Sequence, residues 1–357
     1  MPLYTQKVDV FFDSCLPKLV DLAQNAADRE TRVAACEFLH ALVIYMIGKN
    51  ATQPKARGGK ESQDTAPFAK IYQKLFPVII KLATEVENIS RQLFEPLIFQ
   101  IVRWFSSSRV YEHPEVESLL DALIDGASSR NNSALRDLCS KAVAEFAKWS
   151  LKQMKDKDIQ ENPNNIKSLV RRIESNSNHP DPFKRLSSVL CFSKIFSVIR
   201  DFDPLIDRFT IEIAHCILGS LKMCHNSAEF SQEVIDNCRR MLDKIQKVAT
   251  KKMHLLLLPN PKRAIHPSIS TFILYVFEKF ISVETVLRRE AMKLWEALVC
   301  SVPPKNQEKM PDNLRMWVFE YYIHKRGEKS IFNRFQKVQF QEGRDVQMRE
   351  SEVNGGS

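Results

Sequence analysis

Glycine is scarce in this chain, with only 9 among 357 residues, whereas the usual share is about 7%. Glycine supplies the positive φ angles and the close backbone approach that phosphate-binding loops and tight hairpins require. The composition therefore argues against phosphate-binding loops and tight hairpins. Long apolar runs are also missing. The longest, residues 41–47, falls far short of the roughly 20 residues that cross a bilayer, so we expect no membrane-spanning segment.

Signals for secretion and catalysis are equally scarce. The N-terminus has one cation and no small-residue cleavage site, which predicts no signal peptide. The motifs of phosphate loops, nucleophile elbows, zinc proteases and kinases do not occur in the sequence. His179 and Asp181 could form an acid/base pair, but their place at a predicted turn and helix start favours capping. We expect a non-catalytic chain without a cofactor. An enzyme with an unrecognised site is an alternative.

The eight cysteines contain no C-x-x-C pair and lie mostly among apolar residues, which favours reduced thiols in an intracellular protein. One group within 24 residues could suggest zinc: His215, Cys216, Cys224, His225 and Cys238. Structural zinc prefers ligand pairs two to four residues apart. Each of these cysteines instead falls on an apolar helical face, so packed thiols are the favoured interpretation.

Hydrophobic periodicity predicts helices along the whole chain. Apolar residues recur at steps of three and four over residues 10–22 and 33–47, as on one face of an amphipathic helix. Similar stretches follow from about residue 67 to 325, and no alternating strand pattern interrupts them. The sequence therefore predicts an all-α fold.

Two features repeat along the chain. The segment Leu16–Ala23 returns as Phe76–Ala83, with proline, leucine and alanine in the same places. An acidic or amide residue followed four positions later by arginine opens successive apolar runs. It occurs at residues 28/32, 87/91, 132/136, 181/185, more weakly at 236/240, and at 284/288.

The steps between these arginines are 59, 45, 49, 55 and 48 residues. An acceptor at a helix start can cap free N–H groups, and an arginine one turn later can reach an acceptor on a stacked neighbour. The pattern resembles the HEAT repeat, a pair of antiparallel helices. Unrelated i,i+4 salt bridges are the simpler alternative. We predict an α-solenoid, a right-handed stack of five to six helix pairs, with Arg32, Arg91, Arg136 and Arg185 in equivalent places.

We expect this HEAT-like solenoid to cover residues 1–326. The insert at 49–66 holds two glycines and no large apolar residue, which predicts a mobile segment. Residues 327–357 are predicted to form a basic, disordered tail.

Charge is distributed unevenly. The first 238 residues carry 30 basic and 30 acidic side chains, whereas residues 239–357 carry 22 and 13. The candidates for a basic contact surface are Lys251, Lys252, Lys262 and Arg263, which could meet a phosphate backbone or an acidic partner. A solvated helix face is favoured over this hypothesis, because no aromatic residues interleave with the charges.

Several strings are similar to a known family. The segments 28–40 (DRETRVAACEFLH), 91–97 (RQLFEPL) and 145–152 (EFAKWSLK) resemble the helical-repeat region in the N-terminal half of DNA-dependent protein kinase catalytic subunits. The likeness covers about residues 8–300, and we expect 301–357 and the insert to depart from it. The resemblance implies a cradle segment without the kinase domain. We expect it to be a fragment, a partial gene model or a truncated paralogue.

The same resemblance implies a function in the nucleus, in the joining of broken DNA ends. The implied partners are the rest of the kinase polypeptide, the Ku heterodimer and DNA ends, with weak non-specific DNA contact also possible. A free-standing HEAT scaffold that binds proteins is the alternative. Kinases of this family prefer Ser or Thr followed by Gln, and two such pairs begin at Thr52 and Ser62 in the insert. Phosphorylation there is a hypothesis, and an inert linker is favoured over it.

Overall fold

The computed structural model describes residues 12–51, 68–108, 113–161, 163–224, 231–256 and 288–291. Throughout these ranges the regular structure is α-helix and no strand occurs, which confirms the predicted all-helical class for this part of the chain. The chain divides into two compact units, Met1–Leu205 and Ile206–Ser357. Both the predicted solenoid, residues 1–326, and the predicted tail reach beyond the described residues and stay predictions.

The first unit contains nine of the described helices and the start of a tenth. In chain order they are α1 (Phe12–Asn25), α2 (Arg29–Ala51), α3 (Ala69–Leu82), α4 (Asn88–Ser108), α5 (Pro114–Ala127), α6 (Ser133–Gln153), α7 (Asp156–Glu161), α8 (Asn164–Ser177), α9 (Pro182–Ile199) and α10 (Asp203–Cys224). Consecutive helices pack as pairs, α1 on α2, α3 on α4, α5 on α6 and α8 on α9. The second helices of these pairs also pack in order, α2 on α4, α4 on α6 and α6 on α9.

Aromatic residues form the core between α3 and α4, the second helix pair. Tyr72 and Phe76, one turn apart on α3, stack with ring centroids 4.9 Å apart. Both meet the edge of Phe105 from α4 at 5.8 and 6.0 Å. All three side chains are fully buried, and burying each one contributes about 1.5–3 kcal/mol. The apolar faces of α3 and α4, which the sequence periodicity predicts, are thus the surfaces on which the two helices pack.

The repeated proline segment has the same orientation in both of its copies. Pro17 lies inside α1 and Pro77 inside α3, and both are exposed. On the solvent side, water can satisfy the carbonyl that a helical proline leaves without its donor. The buried side of each copy carries the matching residues, Leu16, Leu19 and Ala23 in the first and Phe76, Ile79 and Ala83 in the second.

Close packing of α5 on α6 depends on Gly126. A Cβ atom at this position would lie 2.6 Å from the Sγ atom of Cys139 in α6. Atoms at that distance overlap, so only a residue without a side chain lets the two helices approach so closely. Cys139 itself is fully buried.

One stretch of α2, Arg29–Lys49, is long and apolar enough to cross a membrane. Our expectation of no membrane-spanning segment rested on the longest uninterrupted apolar run, whereas hydropathy averaged along a helix also counts apolar residues between polar ones. Because this test considers length and composition only, the expectation stays a prediction. Leu39, Val43 and Met46 of this helix are fully buried, and the helix packs on α1 and α4. A core helix of a soluble protein meets the same test.

The second unit contains most of α10 and α11 (Ser231–Leu256) among its described residues. Arg239 Nε donates to Glu290 Oε1 at 3.2 Å. The weak acceptor–arginine pair at 236/240 is not a helix start, so that part of the prediction was wrong. Both residues lie inside α11, where Asp236 accepts a hydrogen bond from Gln232 at 2.8 Å.

Candidate functional site

The four predicted arginines occupy one register position. Arg32, Arg91, Arg136 and Arg185 are each the fourth residue of their helix, in α2, α4, α6 and α9 respectively. In each case the arginine N–H donates to the carbonyl of the residue four positions earlier, at 3.1, 3.2, 3.2 and 3.3 Å. This finding confirms that the arginines lie in equivalent places. We call the four helix starts, with the acceptors Asp28, Glu87, Asn132 and Asp181, the cap ladder.

Three of the acceptors cap their helices with side-chain oxygens. Asp28 accepts from the Thr31 N–H at 2.8 Å and from the Thr31 hydroxyl at 2.7 Å, and the hydrogen bond from this hydroxyl lowers the pKa of Asp28. Asn132 accepts from Leu135 and Asp181 from Phe183, both at 2.9 Å. Capping of this kind satisfies N–H groups that have no partner within the helix.

The junction between the first two pairs is an ion-pair bridge. Arg29 and Arg32 of α2 donate to the two carboxylate oxygens of Glu87, which precedes α4, each at 3.2 Å. The hydrogen bond from Arg29 is the main cause that holds the pKa of Glu87 below its usual value. Nearby, burial raises the pKa of Glu85, and the cations of Arg32 and Lys81 oppose that rise.

In the third and fourth helix pairs, the side chain of the ladder arginine instead donates hydrogen bonds to carbonyls of the turn that precedes its own helix. Arg136 donates to the carbonyls of Ser129 and Arg130 at 3.0 and 3.2 Å. Arg185 donates to the carbonyls of His179 and Pro180 at 2.7 and 2.8 Å. The two side chains are buried, with Arg185 only 1% exposed. We expected each arginine to reach either its own repeat or a neighbour, and both arrangements occur.

Other residues make the contacts between the later pairs. Arg130 donates to Asp181 at 3.2 Å, and Asn132 donates to the Thr84 hydroxyl at 3.4 Å. Sequence reasoning missed Arg130 and also Arg29. The sequence signal that could have found them is their position, one or two residues from a cap residue. From there a long arginine side chain can reach the turn of the neighbouring pair.

A shallow depression lies beside the ladder. Its lining residues are Arg32, Lys81, Thr84, Glu85, Val86, Glu87, Asn88 and Asn132. Two of these residues are cations and two are carboxylates. Glu87 forms an ion pair with Arg32, and Arg32 and Lys81 favour the charged form of Glu85. Among the residues that the structure describes, no group of three or more His, Cys, Asp or Glu side chains could hold a metal ion. The ladder's chemistry is therefore that of joining helices.

His179 and Asp181 lie at a turn and a helix cap, as predicted. The Asp181 N–H donates to His179 Nδ1 at 3.0 Å, and Asp181 caps α9. The thiols of Cys216, Cys224 and Cys238 are buried, which fits packed thiols, whereas His215 is exposed. His225 lies outside the described residues.

The predicted contact and modification residues are not brought together by any described contact. Lys251 and Lys252 lie near the end of α11, and their side chains are outside the described set. Lys262, Arg263, Thr52 and Ser62 also lie outside it. The basic surface and the phosphorylation sites stay predictions.

Comparison with known proteins identifies the family. A family model described as "DNA-dependent protein kinase catalytic subunit, CC1/2" matches residues 66–350. The match continues beyond residue 300, so our expectation that the likeness would fail over 301–357 was wrong for most of that segment.

Catalytic subunits of the DNA-dependent protein kinase are similar over most of this chain. The protein from Dictyostelium discoideum is 32% identical over 83% of the chain, that from Mus musculus 32% over 94%, and that from Xenopus laevis 29% over 96%. The chain spans only 7–8% of the length of these relatives. Taken with the family model, these matches show that the chain belongs to the DNA-dependent protein kinase catalytic subunit family.

Proposed function

We propose that this chain is a non-catalytic, HEAT-like helical-repeat scaffold that acts in the nucleus in double-strand break repair by non-homologous end joining. Its proposed partners are the rest of the kinase polypeptide, the Ku heterodimer and DNA ends. The observation that carries the proposal is the common register of four helix starts in a chain that matches the CC1/2 part of the family.

The repeated register supports a scaffold because it places a cap acceptor and an arginine at the same positions of four helix starts. Each second helix packs on the next, and polar contacts at the cap ladder tie consecutive pairs together. In repeat proteins each unit contacts its neighbours, and stability is approximately a sum over units and interfaces. Such an arrangement presents long surfaces to partners without a central catalytic cleft.

The state of the buried thiols supports a non-catalytic role for the described residues. Burial raises the pKa of Cys191 to about 12 and also raises that of Cys139. Since the thiolate is the nucleophile, both groups are inert near neutral pH. The carboxylates of the cap ladder are engaged in capping and ion pairs, which fits a structural role better than acid/base chemistry.

The repair role is tested by end joining in cells. We expect cells in which the gene is disrupted to accumulate unjoined ends after a nuclease break, and expression of the full gene to restore joining. Normal joining in the disrupted cells would contradict the repair role and leave the family assignment unchanged.

The DNA contact is tested separately with the purified full chain and a duplex. We expect weak binding without sequence preference that falls steeply with salt, because neutralised phosphates release counterions. Glutamate at Lys251, Lys252, Lys262 and Arg263 should lower the slope of log K against log salt. The matched control places glutamate at four exposed lysines, Lys18, Lys70, Lys74 and Lys157. Equal effects of the two sets would reject the basic surface.

A further inference from the structure

Two cations and an aromatic ring meet near the C-terminal ends of α4 and α6. The guanidinium carbon of Arg103, in α4, lies 4.3 Å from the ring centroid of Trp149, in α6. The Nζ atom of Lys152, which follows Trp149 by about one turn, lies 4.5 Å from the ring centroid of Trp149. Arg103 and Lys152 are exposed, whereas Trp149 is half-buried. We call these three residues the Trp149 cluster.

The tryptophan ring holds the two cations in place. A cation within about 6 Å of the centroid of an aromatic ring is attracted by the ring's electron distribution, and both distances in the cluster are shorter than that. Arginine and lysine side chains that rotate freely lose conformational freedom when they bind a ligand. Cations that already lie against a ring lose less of it. The Trp149 cluster is therefore a pre-organised pair of positive charges.

The acidic residues of α6 do not neutralise the lysine of this cluster. Among the described residues, Lys152 forms no ion pair with a carboxylate. Glu145 lies about two turns earlier and pairs with Lys148 at 2.7 Å. Asp137, near the start of the helix, pairs with Lys194 of α9 at 3.1 Å. The end of α6 therefore carries positive charge that can bind the carboxylate of a partner.

The cluster does not lie where another helix pair of the repeat would stack. Helix α4 packs on α2 and α6, and α6 packs on α4 and α9. Both neighbours of each helix in this row are thus present among the described helices. A further pair would extend the row beyond α2 or beyond α9. The exposed side chains of the Trp149 cluster are therefore not the unfinished end of the row.

The arrangement of charges fits a short acidic peptide better than a nucleic acid. A nucleic acid strand presents a regular row of phosphates, and proteins bind it along an extended positive groove. The Trp149 cluster is short, and the same two helices carry the carboxylates of Glu95 and Glu145 about two turns and one turn before Arg103 and Trp149. These carboxylates would repel a continuous row of phosphates. A guanidinium fork and an ammonium group suit a pair of separate carboxylates.

We propose that the Trp149 cluster is a docking site for an acidic peptide segment of a partner protein, whose carboxylates bind Arg103 and Lys152. Trp149 is a positioning residue in this site, because it holds both cations. The inference goes beyond the proposed function, since it assigns a partner chemistry to one surface of the scaffold, and it does not depend on the repair role.

Fluorescence anisotropy of the full chain with a labelled deca-glutamate peptide tests the proposal at low salt. We expect saturable binding that weakens as salt screens the exposed charges. The double variant Arg103→Glu and Lys152→Glu should raise the Kd about tenfold. The matched control, Lys70→Glu with Lys74→Glu, makes the same change in net charge at two exposed lysines of α3 and should leave the Kd nearly unchanged. Absence of binding, or equal effects of the two double variants, would overturn the proposal.

The role of the ring is tested by Trp149→Leu, which keeps the net charge and an apolar side chain. The Kd should rise about twofold to fivefold, because the cations lose their fixed position. A Kd that this variant leaves unaltered would show that the charges act without the cluster and would overturn the proposal. Circular dichroism of each variant checks that its helix content is unchanged.

Competition separates the peptide from a nucleic acid. Unlabelled deca-glutamate should displace the labelled peptide more effectively than a ten-residue oligothymidylate does. Stronger competition by the oligothymidylate, with direct binding that the Arg103→Glu and Lys152→Glu double variant abolishes, would assign the cluster to nucleic acid and reject the acidic peptide.

Discussion

The first two helix pairs and the later pairs use the same arginine position for different purposes. In the first region, Arg32 is 29% exposed at its side chain and reaches across to Glu87 of the next pair. In the later region, Arg185 is 1% exposed and binds two carbonyls of its own turn. The ladder arginine therefore has the same position in each helix but does not contact the same kind of partner. Burial decides how much stability it contributes.

This difference follows from the sequences of the turns. The α1–α2 turn is short, and Arg32, in the helix after it, faces Glu87, which lies just before α4, the second helix of the next pair. The turn before α9 contains His179 and Pro180, whose carbonyls point at the buried guanidinium. Hydrogen bonds to a charged group in a buried site contribute about 1.5–3 kcal/mol, whereas exposed ion pairs contribute about 0–1 kcal/mol. We expect the later turns to resist opening more strongly than the first junction.

The largest expected effect comes from removing the buried arginine. Arg185→Ala should lower the free energy of unfolding by about 3 kcal/mol, because it deletes a fully buried side chain and two charge-assisted hydrogen bonds. Arg91→Ala makes the same change at the same register position in an exposed side chain whose Nη2 donates to Asn88 at 3.1 Å. It should cost no more than about 0.5 kcal/mol. Urea unfolding measures both, and equal losses would contradict the role given to burial.

A smaller loss is expected from Gly126→Ala in the later region. The added methyl group would overlap Cys139 Sγ, and overpacking of about 1–3 kcal/mol exceeds the gain of about 0.5–1 kcal/mol in helix propensity. The double variant with Cys139→Ala should be more stable than the sum of the two single losses. Strict additivity in thermal or urea unfolding would show that the two helices do not approach as described.

The contact of Arg130 with Asp181 should couple the third and fourth pairs weakly. Arg130 is 69% exposed at its side chain, so a double-mutant cycle with Arg130→Ala and Asp181→Asn should give a coupling energy below about 1 kcal/mol. Because asparagine keeps a side-chain oxygen that caps a helix as well as aspartate does, neither single variant removes the α9 cap, and the cycle isolates the ion pair. A coupling energy well above that limit would mean that exposed ion pairs, and not the buried arginine turns, contribute most to the stability of the cap ladder.

The smallest effect concerns Glu87 and depends on pH. Hydrogen bonding from Arg29 lowers the pKa of Glu87 below its ordinary 4.5, so the unfolded state binds more protons in the interval between the two values. The stabilisation is complete above that ordinary pKa and is lost as the pH falls through the folded-state pKa. The difference in unfolding free energy between wild type and Glu87→Gln should therefore shrink on acidification. A difference that is constant with pH would count against the bridge.

The helical class and the four arginine positions could be predicted from sequence because both depend on local periodicity. Apolar residues spaced three and four apart indicate the buried face of each helix. Arginines spaced about fifty residues apart indicate that the helix pairs recur. The partners of the arginines could not be predicted in the same way. Whether Arg185 meets a carboxylate or a carbonyl depends on the path of a turn that apolar periodicity does not encode.

The contacts made by Arg29 and Arg130 were missed for a related reason. Neither belongs to the repeated motif, and a long side chain near a helix start reaches its neighbour only when the pairs are stacked. The weak motif at Asp236 and Arg240 failed because the same i,i+4 spacing also occurs inside a continuous helix such as α11. Spacing alone does not separate a helix start from a helix interior.

Amide hydrogen exchange at single-residue resolution tests the central claim most directly. The first residues of a helix lack intrahelical acceptors, so protection by main-chain hydrogen bonds should begin at the ladder arginine in each of four helices. In three of them the cap side chain also protects one earlier amide, that of Thr31, Leu135 or Phe183. We predict slow exchange at the amides of Arg32, Arg91, Arg136 and Arg185, and faster exchange at the first residues of α2, α4 and α6. Helix α9 begins with Pro182, which has no amide hydrogen. Fast exchange at these four amides, or slow exchange at the first residues of α2, α4 and α6, would contradict the repeated helix start on which the account rests.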